Sequence, residues 1–353
     1  MSRTILITAG GTGGHVFPGL AVAEAMRQAG WRVVWLGAKS GMEARLVPAH
    51  GYEMAWVRAG ALRGKGIMAA LLLPMHLLIG FWQSARAILA HRPDVVLGLG
   101  GYVAFPGGMM ASLLARPLAV HEQNAIAGLT NRILARVADR VLVAFPGALK
   151  NAEWTGNPVR AEIARIPAPE QRFAGRTGPL QLLVVGGSLG AQALNDALPK
   201  ALAQMPAPAR PRVVHQSGER HLENLRASYA AAGVEGELVA FIDDMAQRYA
   251  QADLVICRAG AITVAELSTG GMASVLVPFP HAVDDHQTAN GAFLADRGAA
   301  ILLPQSELAP GTLAALIRGL DRAKLLEMAR KARALGKPEA ARTVAERCME
   351  LAR

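Results

Sequence analysis

Short apolar runs alternate with segments of helical periodicity along both halves of the chain. Runs that are apolar at consecutive positions are typical of strands buried on both faces of a parallel sheet. In the first half they predict strands at 4–8, 32–36, 53–57, 95–97, 118–121 and 140–143. A helix is predicted over 18–29, with Gly30 as its C-cap. Repeated strand and helix predicts a doubly wound α/β domain.

The alternation breaks at 146–158, PGALKNAEWTGNP, and then starts again. Glycine, proline and asparagine in this segment predict a linker between domains. Further strands are predicted at 180–185, 212–216, 238–242, 253–257, 274–277 and 300–302, with a helix over 191–204 and helices of mixed charge over 312–353. A length of 353 residues fits two such domains, and we expect ligands at the carboxyl ends of their strands, in a cleft between the domains.

Three glycine clusters each follow a predicted strand. The first, GGTGGH at 10–15, precedes a helix, and uncovered amides at a helix N-terminus favour a phosphate or sugar diphosphate. Val16 replaces the last glycine of a dinucleotide fingerprint, and no Gly-Lys-Ser/Thr ends the loop as in a Walker A motif. The second, GGSLG at 186–190, occupies the corresponding place in the second half, where Ser188 adds a hydroxyl. The third, GLGGY at 98–102, fits a diphosphate site or a structural turn.

Several polar side chains follow other predicted strands. His15 is a candidate general base or a structural histidine, because its usual pKa near ~6.5 suits proton transfer at neutral pH. The run HEQN at 121–124 predicts sugar or base recognition more than core packing. Arg160 can clamp a phosphate or lie on the surface. Glu266 can accept from ribose hydroxyls or favour a helix N-terminus, and Gln287 can bind sugar hydroxyls.

Composition excludes several classes. Charged residues at 18% and apolar residues at 52% exclude a largely disordered chain. The two cysteines cannot form a disulfide scaffold, and without HExxH, a Cys cluster or a D-x-D pair no metal site is predicted. The N-terminus lacks the long apolar core of a signal peptide, so a cytoplasmic chain is expected. Spread basic residues and only 5% aromatics argue against nucleic-acid binding.

The positive charge is concentrated in the first half. Residues 1–157 carry 15 Lys and Arg against 7 Asp and Glu, which is +8 of the total +10, and this predicts an anionic partner. The segment 66–85 in the same half contains no charged residue and has the length of a membrane span. Pro74, His76 and Gln83 within it, and the lack of a second such segment, argue against a span.

The motifs together resemble the MurG family, the N-acetylglucosaminyltransferases that convert undecaprenyl-diphosphate-linked muramyl-pentapeptide to the disaccharide precursor of peptidoglycan. The resemblance covers essentially the whole chain. It is carried by TAGGTGGHVFPG at 8–19, HEQNAIAG at 121–128, TGNPV at 155–159, GGSLG at 186–190 and RAGAITVAE at 258–266. It implies an α/β fold of the glycosyltransferase B type, with two doubly wound Rossmann-like domains facing a central cleft. It also implies an inverting reaction that uses neither a cofactor nor an active-site metal.

The resemblance also implies roles for individual residues and domains. Residues 1–157 would bind acceptor and membrane, with the C-terminal helix at about 338–353 packing back on them, and 158–337 would bind the UDP-sugar. Contacts to UDP-N-acetylglucosamine would fall on Thr12, Gly13, Gly14, Asn124, Arg160, Ser188, Ile242, Ala261, Ile262, Thr263, Val264, Ala265, Glu266 and Gln287. Contacts to the acceptor diphosphate would fall on Gly13, Gly14, Gly101 and Tyr102. His15, the usual base candidate, and Glu122 are the catalytic candidates.

A lipid acceptor gives the segment 66–85 a function. We expect a helix that lies on the bilayer through Met68, Leu72, Ile79 and Trp82, with flanking arginines and Lys65 attracting anionic headgroups. A wholly buried helix is the alternative. The expected location is peripheral, at the cytoplasmic face of the inner membrane. The expected partners are UDP-N-acetylglucosamine, the lipid acceptor, an anionic membrane surface and other proteins of cell-wall synthesis. The processes expected to need this enzyme are peptidoglycan synthesis, cell division and the maintenance of cell shape.

Two other functions stay open at this stage. An enzyme like the UDP-N-acetylglucosamine 2-epimerases has the same architecture and donor, but it needs carboxylates beside the sugar, and no clear cluster is visible. A non-catalytic module that binds nucleotide or lipid is the second alternative.

Overall fold

A computed structural model describes residues 2–58, 73–187 and 190–352. The chain divides into two compact units. The N-terminal unit comprises Met1–Arg160 together with Pro338–Arg353, and the C-terminal unit comprises Ala161–Lys337.

The N-terminal unit is built on a seven-stranded sheet in which all neighbouring strands are parallel. Its strands are β1 (Thr4–Ala9), β2 (Arg32–Gly37), β3 (Glu53–Trp56), β4 (Val95–Gly100), β5 (Leu118–Glu122), β6 (Arg140–Val143) and β7 (Glu153–Trp154). Its first helices are α1 (Gly13–Gln28), α2 (Glu43–Ala49), α3 (Leu73–His91), α4 (Ala104–Leu113) and α5 (Leu129–Leu134). The strand order 3-2-1-4-5-6-7 changes direction between β1 and β4. In a doubly wound sheet this switch point opens a crevice at the carboxyl ends of the strands.

Alternate residues of β1 enter two different core layers, as the pleat of a strand requires. Ile5 and Ile7 pack with α1 on one face, and Leu6 packs with α3, α4 and α5 on the other. All six residues of β1 are buried, which explains its continuous apolar run. On the α1 side, Gly19 lies directly against the Trp35 ring, whose indole nitrogen donates to the Ala9 carbonyl at 2.9 Å.

The C-terminal unit repeats this plan with six parallel strands. Its strands are β8 (Gln181–Val185), β9 (Arg212–Gln216), β10 (Glu237–Val239), β11 (Leu254–Cys257), β12 (Ser274–Leu276) and β13 (Ile301–Leu302). Its α-helices are α6 (Ala161–Ala164), α7 (Pro169–Phe173), α8 (Gln192–Ala203), α9 (Leu222–Ala232), α10 (Met245–Gln251), α11 (Ala261–Gly270), α12 (His286–Ala295), α13 (Pro310–Arg318) and α14 (Arg322–Leu335). The order 10-9-8-11-12-13 places its switch point between β8 and β11.

The last helix, α15 (Ala340–Leu351), belongs to the N-terminal unit. Its Val344, Ala345 and Cys348 are buried in the core layer that contains Ile5 and Ile7. Arg347 forms an ion pair with Glu153 on the edge strand β7 at 2.8 Å. The end of the chain is thereby held on the first sheet by apolar packing and by charge.

The predicted class, two doubly wound α/β domains, is confirmed, and two local predictions are wrong. The helix expected over 18–29 begins at Gly13, because the amides of His15 and Val16 already bond the Thr12 carbonyl. Glycine's low helix propensity hides this start in the sequence. The segment predicted as a linker contains β7, which extends the sheet by pairing with β6. Because β7 has only two residues, it produces no apolar run in the sequence.

Candidate functional site

The first and third glycine clusters meet at the switch point of the N-terminal unit. A Cβ on Gly101 would collide with the Gly10 carbonyl oxygen, and one on Gly100 would lie 3.1 Å from the His15 ring. Both residues have positive φ, 78° and 97°. Only glycine combines this backbone conformation with so close an approach. The structure therefore brings together the predicted residues of loops 10–15 and 100–102.

His15 lies in the first turn of α1, next to the loop amides. Its Nδ1 is 3.3 Å from the hydroxyl of Thr12, the N-cap residue, whose backbone is extended. The amides of Gly13 and Gly14 are in the same first turn, where N–H groups have no acceptor inside the helix. The positive end of the helix dipole adds to them. This arrangement can hold an anion and place an imidazole beside it.

Glu122 is 2% exposed at the end of β5 and closes the loop that follows. Its Oε1 accepts from the Asn124 amide at 2.8 Å, and its Oε2 accepts from the Gly128 amide at 3.1 Å. Oε2 also accepts from Asn131 Nδ2 at 2.8 Å. That nitrogen would be 3.2 Å from a Cβ on Gly100, so the network extends to the glycine beside His15. The hydrogen bonds of Glu122 therefore orient Asn124 and the loop that contains it.

His121 and Gln123 are buried, contrary to the expectation that this run is not core. His121 Nε2 lies 2.9 Å from the Gly156 carbonyl oxygen, and Gln123 Nε2 lies 3.1 Å from His121 Nδ1. Burial lowers the pKa of His121 to about 4, while the bond to Gly156 opposes this shift. A neutral imidazole thus joins β5 to the segment that leads to Arg160, which is exposed. Both ring nitrogens of His121 therefore have partners, and Gln123 Nε2 also donates to the His121 carbonyl at 2.9 Å, which offsets the cost of burying these groups.

The second glycine cluster is held by Gln216 at the end of β9. The Gly187 amide donates to Gln216 Oε1 at 3.1 Å, and Gln216 Nε2 donates to the Gly187 carbonyl at 3.0 Å. Gly190, with φ of 78°, leaves no room for a Cβ against the Ser217 carbonyl oxygen. Ser188, the predicted phosphate contact, lies outside the described residues. The loop follows β8 at the switch point of the C-terminal unit.

A network of buried hydrogen-bonding side chains supports the segment against which Gly190 packs. Asn195 on α8 donates to the Ser217 carbonyl at 3.3 Å, and its Oδ1 is 3.1 Å from His215 Nε2. The Tyr229 hydroxyl is 3.1 Å from His215 Nδ1. Burial lowers the pKa of His215 to about 3, so the ring is neutral and joins these two partners.

The predicted run 261–266 forms the start of α11, directly after the neighbouring strand β11. Gly260 is the N-cap, with an extended backbone and no side chain to cover the first-turn amides. Ile262, Thr263 and Ala265 are partly exposed in these turns. Glu266 is 7% exposed, and its Oε2 accepts from the Tyr249 hydroxyl at 3.4 Å. Parallel pairing of β8 and β11 brings this helix start and the second glycine cluster to one edge of the sheet.

Other predicted residues of this unit lie along the same edge. Gln287 on α12 accepts from the Phe279 amide at 2.9 Å, and Ile242 follows β10 and is buried. Arg258 donates to the Val277 and Pro278 carbonyls and to Gln305 Oε1 at 2.7 Å. Burial lowers its pKa. Arg258 therefore ties the ends of β11 and β12 together.

Several polar residues that support the site give no signal in the sequence. Glu43, whose Oε2 accepts from the Gly11 amide at 3.0 Å, is one of them. The others are His215, Gln216, Tyr229 and Tyr249. Glu43 begins α2, where an acid reads as an ordinary favourable charge at a helix N-terminus. In the part of the chain that the structure describes, no three His, Cys, Asp or Glu side chains are grouped so that they could hold a metal ion.

Helix α3 exposes an apolar stripe, formed by Met75 (50%), Leu78 (69%), Trp82 (62%) and Leu89 (59%). The opposite face, with Gly80, Ser84 and Ile88, is buried. Of the predicted membrane patch, Trp82 is exposed and Ile79 is partly exposed, whereas Met68 and Leu72 lie outside the described residues. Among the described helices, none has the length and hydropathy needed to cross a bilayer.

Comparison with known proteins gives two family matches and relatives of full length. The glycosyltransferase family 28 N-terminal domain matches residues 5–143, and the corresponding C-terminal domain matches residues 181–346. A transferase from Aromatoleum aromaticum is 67% identical over 350 residues, which cover 99% of this chain and 98% of the relative. Its name is UDP-N-acetylglucosamine--N-acetylmuramyl-(pentapeptide) pyrophosphoryl-undecaprenol N-acetylglucosamine transferase.

Solved structures agree with these matches. Acinetobacter baumannii MurG is 42% identical with a TM-score of 0.86, and the alignment covers 99% of each chain. A UDP-N-acetylglucosamine 2-epimerase from Listeria monocytogenes has a TM-score of 0.66 at 13% identity, covering 98% of this chain and 95% of the other, and it shares the fold alone. The chain therefore belongs to the MurG family of N-acetylglucosaminyltransferases.

Proposed function

We propose that this chain transfers N-acetylglucosamine from UDP-N-acetylglucosamine to undecaprenyl-diphosphate-linked muramyl-pentapeptide. The observation that carries the proposal is the 67% identity, over nearly the full length, to a transferase named for this reaction. The muramyl 4-hydroxyl attacks the anomeric carbon as the bond to UDP breaks, so the configuration inverts. The hydroxyl proton passes to a base, and the electron pair of the broken bond leaves with UDP.

The C-terminal unit supplies the main donor contacts in this proposal. Glu266, held by Tyr249, accepts from the ribose hydroxyls, and the Ile242 backbone meets the uracil. The uncovered amides at the start of α11 stabilise charge that develops on the UDP leaving group. Gln287 binds sugar hydroxyls, and Ser188 adds a hydroxyl to the diphosphate. The donor contacts predicted on Thr12, Gly13, Gly14, Asn124 and Arg160 stay predictions.

The N-terminal unit supplies the acceptor contacts. The first-turn amides of Gly13 and Gly14 support binding of the lipid diphosphate, with Gly101 and Tyr102 beside them. His15, next to these amides, takes the proton from the attacking hydroxyl. Both oxygens of Glu122 accept backbone or amide hydrogens, which supports a positioning role through Asn124 rather than a direct proton transfer.

The exposed stripe on α3 supports membrane docking at the cytoplasmic face of the inner membrane. Single exposed apolar side chains are normal on a protein surface, but four large ones on one helix face form a contiguous apolar stripe. Such a stripe is typical of a helix that lies in the plane of the membrane–water interface. Arg86, whose guanidinium lies 5.9 Å from the Trp82 ring centre, attracts anionic headgroups at the same depth. Docking there brings the lipid acceptor to the N-terminal unit. Other proteins of cell-wall synthesis stay predicted partners.

The reaction is tested by incubating the protein with UDP-N-acetylglucosamine and the lipid-linked muramyl-pentapeptide in the presence of EDTA. We expect UDP and a lipid-linked disaccharide, identified by mass spectrometry, and no change of the sugar nucleotide without the acceptor. Formation of the 2-epimer without acceptor would instead identify an epimerase. If the protein bound both compounds but formed no product, it would be a non-catalytic binding module.

Replacing the acid on α11 tests the donor site. Glu266→Ala is expected to raise KM for UDP-N-acetylglucosamine by roughly 10–100-fold, because hydrogen bonds to a charged acceptor contribute about 1.5–3 kcal/mol. Steady-state kinetics at saturating acceptor measure this change. Glu237→Ala, which removes an exposed ion pair with Arg248 in the same unit, is the control and should leave KM unchanged. An unaltered KM in Glu266→Ala would eliminate the ribose contact.

Removal of the candidate base separates catalysis from binding. His15→Ala is expected to lower kcat by about 10²–10⁴-fold while the Kd for UDP-N-acetylglucosamine stays the same, because a general base acts in the transition state. Kinetics and calorimetric titration give the two values. His50→Ala, at the exposed end of α2, serves as the matched control. Loss of affinity with an unchanged kcat would make His15 a binding residue.

Membrane binding by the stripe on α3 is tested by replacing its exposed tryptophan, with an exposed tryptophan elsewhere in the same unit as the control. Trp82→Gln is expected to weaken binding to phosphatidylglycerol-containing vesicles by roughly tenfold, because an apolar side chain leaves the interface. High salt should weaken wild-type binding further by screening the headgroups. Trp154→Gln, on the edge strand β7 of the same unit, is the control for co-sedimentation. Equal binding by Trp82→Gln and wild type, with or without salt, would contradict membrane docking through α3.

A further inference from the structure

Glu43 is a carboxylate enclosed beneath the first glycine loop. It lies in the first turn of α2 and is 0% exposed. Its Oε2 accepts from the Gly11 amide at 3.0 Å, and its Oε1 accepts from the Ala38 amide at 3.0 Å. One carboxylate therefore joins the loop after β1 to the loop after β2, its neighbour in the sheet.

Glycine backbone packs directly against this side chain. A Cβ added at Gly10 or at Gly41 would collide with the carboxylate, and one at Gly37 would lie 2.8 Å from Glu43 Cγ. The carboxylate thus fills a cavity whose walls are backbone. Its position is fixed by contacts on three sides as well as by two hydrogen bonds.

The bond to Glu43 determines which loop amides remain for a ligand. Gly11 has φ of 91°, and its N–H points inward to the carboxylate. Because the Gly11 N–H donates to a carboxylate oxygen, this bond fixes the direction of that amide. The following amides, Gly13 and Gly14, then begin α1 and lie in its first turn. The conformation that presents them to an anion is therefore anchored at Gly11.

Glu43 also acts on Tyr102, which belongs to the third glycine cluster. A Cβ on Gly11 would lie 3.3 Å from the Tyr102 ring. Burial and the negative charge of Glu43 raise the pKa of Tyr102, while a side-chain hydrogen bond with Ser40 opposes them. Tyr102 is therefore harder to ionise than an ordinary tyrosine, and its ring lies against the loop that Glu43 holds.

We propose that Glu43 is a positioning residue for the acceptor diphosphate. It holds Gly11 so that the first-turn amides of α1 face the ligand, next to the Tyr102 ring. Its own oxygens are enclosed and do not touch substrate. The inference rests on the proposed function, because the diphosphate is the acceptor's.

Glu43→Gln tests this role with almost no change in volume. The amide keeps one acceptor oxygen and turns an N–H₂ group toward either Gly11 or Ala38, where two donors then oppose each other. We expect KM for the lipid acceptor to rise roughly tenfold, and to rise by more than KM for UDP-N-acetylglucosamine, whose main contacts are proposed in the C-terminal unit. Hydrogen exchange at the Gly11 amide, followed by mass spectrometry of peptides from the loop, should become faster.

Gly41→Ala provides a second variant that keeps the negative charge. Its methyl group occupies the place of the carboxylate and displaces it from both amides. We expect the same rise in acceptor KM as for Glu43→Gln. This variant carries the test if Glu43→Gln fails to fold, as judged by near-UV circular dichroism.

Asp94→Asn is the matched control. Asp94 Oδ2 accepts from the Thr4 amide at 2.7 Å, at the opposite end of β1 from the glycine loop. The same chemical change there should lower the urea midpoint of unfolding and leave both KM values unchanged. Its effect measures what a lost carboxylate–amide bond does to stability alone.

The outcomes separate the inference from the proposed function. A folded Glu43→Gln or Gly41→Ala protein with wild-type acceptor KM would overturn the positioning role. Equal losses of kcat and of both substrate affinities would also overturn it, because they would indicate a general structural defect. A wild-type protein that transfers no sugar would instead refute the proposed function, and the exchange rate at Gly11 would still decide whether Glu43 holds the loop.

Discussion

The close approach of one loop backbone to another at the carboxyl ends of neighbouring strands is the constraint on which the site depends. Gly101 lies against the Gly10 carbonyl, and Gly190 lies against the Ser217 carbonyl. A side chain at either position would push apart loops that follow adjacent or nearby strands. The carboxyl ends of parallel strands lie at one edge of the sheet, so the loops that follow them are crowded together. Glycine with a positive φ lets two loop backbones come into contact there without a side chain between them.

Loops packed this tightly still have polar backbone groups that must be satisfied away from water. Buried side chains do this in both units. Glu43 and Glu122 accept from loop amides in the N-terminal unit, whereas Gln216 and Asn195 bond the loop backbone in the C-terminal unit. Burying a carboxylate or an amide is unfavourable unless its hydrogen bonds are made, so each of these residues constrains its loop to one conformation.

The sheets could be read from the sequence because a strand buried on both faces leaves a continuous apolar run. β6 and β9 have the bounds that the sequence predicts, 140–143 and 212–216. The two-residue strand β7 and the glycine start of α1 leave no such run. The family motifs identify the loops, but which polar residues lie inside could not be predicted. His121 and Gln123 are buried because they bond each other and Gly156, and those contacts depend on tertiary structure.

Enclosed acids lie on both sides of the first glycine loop, where we propose that the acceptor diphosphate binds. Glu43 lies beneath the loop, and the Glu122 network reaches it through Asn131 and Gly100. Negative charge behind an anion site is unfavourable for the ligand, but the amide hydrogens that point toward each carboxylate offset part of its field. In the proposed site, the attraction for the diphosphate comes from the amides in the first turn of α1 and from the excess of 15 basic over 7 acidic residues in the first 157. A loop without its buried acids would have more positive potential but no fixed orientation of its amides.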